Sequence, residues 1–158
     1  MIFIDSSGNS HTLPPDKEIS WRVAVYGIVL SSDKKKVLMM MPAHNPKWQF
    51  PGGGVDIDET FNQALKREFI EESGYMIHSE KLIPYYHNES LFYHEGIDQY
   101  FHSVQLTFIV SLEDDRQNPD LIHEQDINGT VDWKDIGSLS KDDVQYTHWP
   151  IIQLLQKN

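Results

Sequence analysis

The segment TFNQALKREFIEESG, residues 60–74, constrains the fold more than any other stretch, because both of its ends carry helix-termination signals. Thr60 and Gln63 have the spacing of a capping box, in which two side chains satisfy backbone N–H groups across the first turn. Gly74 stands where a helix closes through a left-handed residue. Between these ends, Phe61, Ala64 and Leu65 recur at helical spacing and predict a face turned toward a core. At 100° per residue, Glu68, Glu71 and Glu72 continue that same face within an arc of roughly 100°. Exposed like charges at i, i+4 each cost a helix about 0.2–0.5 kcal/mol, and partial burial adds a desolvation penalty. The pattern therefore calls for a cation. Hard oxygen ligands grouped in this way suit Mg²⁺ or Mn²⁺, which keep several waters and bridge to substrate phosphates. A solvated acidic face is the alternative, and it leaves the apolar first turn unexplained.

The remaining chain reads as strands plus one more helix. VAVYGIVL (23–30) and KVLMMM (36–41) are strand-like, and the polar SSDKK between them predicts a hairpin. SVQLTFIVSL (103–112) and TVDWKDI (130–136) extend the β content, while the apolar spacing of HWPIIQLLQ predicts a final helix. The first 20 residues are expected to add a short strand or to cover a sheet edge. With 158 residues, no internal repeat and no linker, the chain is expected to form one domain over 1–158, burying roughly 70% of its unfolded surface. Strands and two helices in this order, without regular βαβ repeats, imply an α/β fold.

Charge and composition narrow the function. A net charge of −11 argues against a broad nucleic-acid or anionic-membrane surface. The absence of cysteine excludes disulfides, thiolate catalysis and Cys-based zinc sites. No basic-then-apolar leader opens the chain and no apolar run approaches ~18 residues, so the expectation is a soluble, cytoplasmic protein.

Ahead of the acidic helix lies PGGG, Pro51 to Gly54, whose glycines allow backbone to approach a ligand closely. It lacks the third glycine of a dinucleotide fingerprint and the GK[ST] of a phosphate-binding P-loop. Residues 53–75, GGVDIDETFNQALKREFIEESGY, fit G-x5-E-x7-R-E-U-x-E-E-x-G-U throughout, U being bulky and apolar. Gly53, Glu59, Arg67, Glu68, Glu71, Glu72 and Gly74 supply the prescribed identities; Phe69 and Tyr75 fill the bulky positions, Tyr75 where aliphatic residues are usual. This segment resembles the Nudix box.

The resemblance implies an α/β/α sandwich around a mixed sheet and Mg²⁺- or Mn²⁺-dependent hydrolysis of a nucleoside diphosphate linked to some other moiety. By matching position, Glu68, Glu71, Glu72 and the Gly53 carbonyl are the implied metal ligands. Arg67 would orient a carboxylate, and Glu59 would support the cluster by pairing with Arg67 or through water. Glu68 is the first choice for the general base, Glu124 in the loop IHEQDINGT the second, and His123 a weaker third.

Substrate contacts are less specific. Arg22 could reach a phosphate from the first long strand, and Trp48 and Phe50 precede the glycines at the mouth of the implied pocket. The stretch from Tyr85 to His102 carries six aromatics and three histidines, suited either to base stacking or to strand packing, with Tyr93 the member nearest a family substrate position. Patterns that mark coenzyme A, NADH and ADP-ribose subgroups are absent, Leu91 standing where the last has proline. WQFPGGGVD is similar to a segment of bacterial RNA 5′-pyrophosphohydrolases, with Gly52 at their glutamine. The expected partner is a nucleotide-type small molecule; a nucleoside triphosphate leads, dinucleoside polyphosphates and RNA 5′ ends follow, and a non-catalytic nucleotide sensor is the alternative class.

Overall fold

The computed structural model describes residues 1–43, 45–123 and 128–157, with the side chains of residues 79–83 outside that description. Strands β1 (Ile2–Ile4) and β2 (Ser10–Thr12) form a small antiparallel pair. β3 (Ile19–Ile28), β4 (Lys36–Met41) and β5 (Gly52–Gly54) lead to helix α1 (Phe61–Ser73). β6 (Ile77–His94) and β7 (Gln99–Leu112) make a long antiparallel hairpin, followed by β8 (Thr130–Asp135) and helix α2 (Trp149–Leu155). One mixed sheet runs β2-β1-β6-β7-β3-β5, with β1 parallel to β6 and β3 parallel to β7, while β4 and β8 form a separate pair.

Alternation along β3 assigns the two faces. Ala24, Tyr26 and Ile28 pack with Ile151 and Ile152 of α2, whereas Val25 and Val29 pack with Ala64, Leu65 and Phe69 of α1. β4 divides likewise, Val37 and Met39 toward α2 and Leu38 toward α1. The result is the α/β/α layering that the resemblance implied. α1 opens as its sequence predicts: the Thr60 side chain accepts from the Gln63 amide, the Gln63 side chain accepts from the Thr60 amide, and Gly74 closes the helix at φ 70°.

Two expectations are corrected. β3 and β4 meet at the expected turn through the Leu30–Val37 bridge and bonds from Leu38 N–H to the Val29 carbonyl and from Ser31 N–H to the Lys36 carbonyl, then diverge. β7 and β5 already occupy the two edges of β3, so β4 pairs instead with β8. Phe61 is the first helical residue and is 43% exposed, so the buried stripe of α1 is Ala64, Leu65 and Phe69.

Candidate active site

Two glycines let the helix carboxylates reach β5. Gly52 has φ 144°, and a Cβ there would stand 2.1 Å from the Val25 carbonyl oxygen, so only glycine fits. Its N–H donates to Glu72 Oε2 at 2.8 Å. A Cβ on Gly53 would lie 2.6 Å from the Glu68 carboxyl carbon, which means that this carboxylate rests directly against the Gly53 backbone. Glu68 and Glu72, one turn apart on α1, are thus both held against the same short strand.

Arg67 joins the rest. Its Nε and one terminal nitrogen grip Glu59 side-on at 2.7 and 2.8 Å, and that same terminal nitrogen donates to the Gly54 carbonyl at 3.1 Å. The other terminal nitrogen reaches Glu68 at 2.8 Å and Glu71 at 3.3 Å. The sequence suggested three helix carboxylates without enough internal compensation; in the fold, one guanidinium serves two of them together with Glu59. Its consequences are electrostatic. Arg67 holds the Glu59 carboxyl down to about 2, while burial pushes Glu68 above the usual carboxylate range against the opposing pull of Arg67.

This donor set fits a hard divalent cation. Carboxylates gathered at a glycine strand give oxygen ligands without imidazole or thiolate, the chemistry that Mg²⁺ or Mn²⁺ takes. Another group, Asp5, His11 and Glu95, also brings ligand atoms within 4.8 Å of one another. There, however, Asp5 already accepts from the Ser7 and Asn9 amides, the Asn9 side chain and His11, as a residue tying the β1–β2 turn would.

A cleft of about 720 Å³ opens beside the carboxylates on the α2 side of the sheet, and Arg22, Tyr26, Gly52, Gly53, Glu68 and Glu72 line one part of it. The Arg22 guanidinium lies 5.6 Å from the centre of the Phe101 ring. Tyr93 also lines the cleft, its hydroxyl donating to Asp98 at 3.1 Å and its ring against Tyr100 and His11. Glu71 joins the group through Arg67 rather than through the cleft wall.

Two aromatic expectations change. Phe50 is fully buried in the core beside His148, and Trp48 packs under the Lys134 ammonium, 4.5 Å from its ring. Strand alternation is the reason: with residues 48 and 50 turned away, Gln49 is the residue that lines the cleft. Glu124 lies outside the described residues, although the preceding His123 donates its N–H to the Glu71 carbonyl at 2.8 Å. Sequence reasoning passed over Tyr26, Asn45, Gln49, Gln105 and Gln145, all of which line the cleft. Gln105 carried a signal, since SVQLTF alternates polar and apolar residues in a strand whose polar face is buried.

Comparison with known proteins agrees with this geometry. RNA pyrophosphohydrolase of Pseudomonas putida is 46% identical over 48 residues, 30% of each chain, and a MutT-like protein of Streptomyces ambofaciens is 32% identical over 88 residues, 56% of this chain and 54% of that one. The match thus spans less than a third of the length of the RNA pyrophosphohydrolases. Among solved structures, a MutT NUDIX hydrolase from Burkholderia pseudomallei superposes with TM-score 0.64 at 16% identity, covering 87% of this chain and 98% of that one. A NUDIX hydrolase from Nitrosomonas europaea gives 0.62 at 18% identity, covering 96% and 76%. The family description "NUDIX domain" matches residues 20–155, and with that span, this sandwich and the carboxylate helix against its glycine strand, the chain belongs to the Nudix family.

Proposed function

We propose that this protein is a Mg²⁺- or Mn²⁺-dependent pyrophosphohydrolase acting on a nucleoside diphosphate linked to another moiety, with nucleoside triphosphates the first substrates to test. The observation that carries the reading is that Glu68 and Glu72 share one cleft with Arg22. Carboxylates beside an arginine offer both a seat for a divalent cation and a direct phosphate contact. Hydrolysis adds water to one phosphorus of the anhydride, the bridging oxygen leaves with the other phosphate, and a proton is released. A bound cation would supply positive charge against the diphosphate and make water easier to deprotonate at neutral pH. Glu68, Glu71, Glu72 and the Gly53 carbonyl would hold it, and Arg67 would keep the carboxylates in place. Glu68 is our first choice for the general base and Glu124 the second, and Glu124→Gln separates them: a large loss of turnover with metal affinity kept would move the role to Glu124.

The 48-residue likeness to an RNA pyrophosphohydrolase favours a second reading, hydrolysis at an RNA 5′ end. The net charge of −11 weighs against that longer polyanion. The complete set of Arg67, Glu68, Glu71 and Glu72 favours catalysis over a nucleotide sensor. A panel of nucleotides and 5′-triphosphorylated RNA with Mg²⁺, products resolved by chromatography, tests all three. Glu71→Gln and Glu72→Gln should each lower turnover by orders of magnitude. Full turnover in excess EDTA would defeat the proposal.

A further inference from the structure

The cleft is not lined by charge alone. Besides His94 and Glu95, four uncharged carboxamides, Asn45, Gln49, Gln105 and Gln145, also line it. Two of the four lie below the rim. Gln105 and Gln145 are only 5% and 8% exposed, and Gln105 belongs to a stripe, Ser103, Gln105 and Thr107, that turns polar groups inward from β7. By the β3–β7 register, Gln105 stands opposite Ala24 and Thr107 opposite Tyr26, on the face where an α/β sandwich ordinarily buries apolar side chains. Buried polar groups nearly always find partners, and Gln145 Oε1 has none among the described residues.

Gln145 is also rigidly mounted. Its N–H donates to the Trp48 carbonyl at 2.9 Å, and its own carbonyl accepts from His148 and Trp149 at 3.0 and 3.1 Å. Backbone bonds on both sides therefore fix where its side chain starts. An amide held in place, mostly shielded from water and lacking a donor for its oxygen matches a ligand that brings an N–H group of its own. A carboxamide pair can meet adjacent donor and acceptor atoms on a planar ring, which is what the edge of a nucleobase presents.

We propose that Gln145, assisted by Gln105, is the base-reading part of the cleft, with Gln145 Oε1 accepting a hydrogen bond from an amino or ring N–H of the substrate's nucleobase. This deepens the functional reading above and rests on it. It makes the preferred substrate one whose base is free to enter the cleft and carries such an N–H, rather than a diphosphate with an alkyl or sugar group there.

The test compares the parent with Gln145→Leu and Gln105→Leu on the best of the four common nucleoside triphosphates. The comparison substrate is the matching purine riboside or pyrimidin-2-one riboside triphosphate, which lacks both the amino group and the ring N–H. In the parent, kcat/KM should favour the natural base by about tenfold or more, the discrimination expected of a buried hydrogen bond. Gln145→Leu should remove that preference by slowing the natural substrate and leaving the analogue near its parent rate, with Gln105→Leu doing so in part. Equal losses on both substrates, or none, would overturn the assignment while hydrolysis itself persists. If no nucleotide is hydrolysed with Mg²⁺ present, the functional reading fails on its own. Calorimetric binding of nucleoside monophosphates then decides the base site: affinity that Gln145→Leu weakens supports it, and affinity that is absent or unchanged overturns it. Melting of the free protein adds an independent readout, because replacing an unpartnered amide with an apolar group should keep or raise Tm. A fall of several degrees would mean that the amide is already bonded within the fold and would also overturn the proposal.

Discussion

Replacing Arg67 with alanine in the metal-free protein perturbs the site at its most connected point. The side chain makes two bonds to Glu59, one each to Glu68 and Glu71, and one to the Gly54 carbonyl. It therefore ties the loop before α1 to the helix as well as compensating three carboxylates. A single hydrogen bond to a charged group contributes about 1.5–3 kcal/mol, and losses within one network do not add. Arg67 is 30% exposed, and solvent screening lowers the total further. A destabilisation of about 2–4 kcal/mol follows, or a fall in Tm of roughly 5–12 °C for a chain of this size.

Urea denaturation in excess chelator measures this through the midpoint at constant m-value. Arg67→Lys should recover only a minor part, because an ammonium keeps the charge but cannot form the fork that holds Glu59 side-on. In a double-mutant cycle with Glu59→Gln, the two substitutions should be non-additive, the second costing clearly less once the first is in place. A loss under about 0.5 kcal/mol for Arg67→Ala, the range of an ordinary surface substitution, would refute the reasoning and make these contacts energetically idle.

Three further outcomes are expected. Glu72→Gln should leave the metal-free protein as stable as the parent or more so, since the new amide oxygen can still accept from Gly52 N–H, yet it should show a much smaller Tm rise with Mg²⁺; equal rises in both proteins would show that Glu72 is not a ligand. Gly53→Ala should lower metal affinity and turnover more than stability, because the added methyl displaces the movable end of Glu68, while Gly52→Ala should destabilise the fold, meeting the Val25 carbonyl at 2.1 Å; the reverse ranking in melts and metal titrations would contradict both. Burial holds His148 down to about 3 from an ordinary 6.5, so the unfolded chain binds more protons below pH 6.5 and stability falls with pH from 6.5 toward 3. Between pH 6.5 and 5 that loss is about 1.5 kcal/mol, and a His148→Asn variant with an unchanged urea-midpoint profile would assign the acid sensitivity elsewhere.

What was legible from the chain depended on the range over which each signal acts. The capping box of Thr60 and Gln63 and the left-handed Gly74 are set by neighbours within one helical turn, and both ends of α1 follow them. The pairing of Arg67 with Glu59 acts across eight residues through a loop and was readable only as one of two routes. The expected β3–β4 turn forms, but its ladder stops after the Leu30–Val37 bridge, because a turn signal reports that two strands reverse, not that their edges remain available; β5 and β7 had taken those edges. Trp48 and Phe50 were assigned to the pocket by chemical type, whereas a one-residue alternation decides which of 48, 49 and 50 faces it.

The polar residues of β7 show what such alternation can still reveal. A strand reading S-V-Q-L-T-F has two possible orientations, and placing its polar face in solvent is the ordinary choice. Here both faces are covered: Phe108 packs toward α1, while Ser103, Gln105 and Thr107 turn toward the α2 side and are each no more than 5% exposed. Folding alone would favour apolar residues at these positions, because each buried amide or hydroxyl gives up water that a protein partner must replace. The carboxylates of α1 pose the same conflict at the edge strand β5, and there Arg67 and Gly52 relieve it from within the chain. Among the described residues, Gln145 has no comparable internal partner for its oxygen. Polar groups set against the demands of the core therefore mark two parts of one cleft, one that suits a cation with phosphate and one that suits the group the phosphate carries.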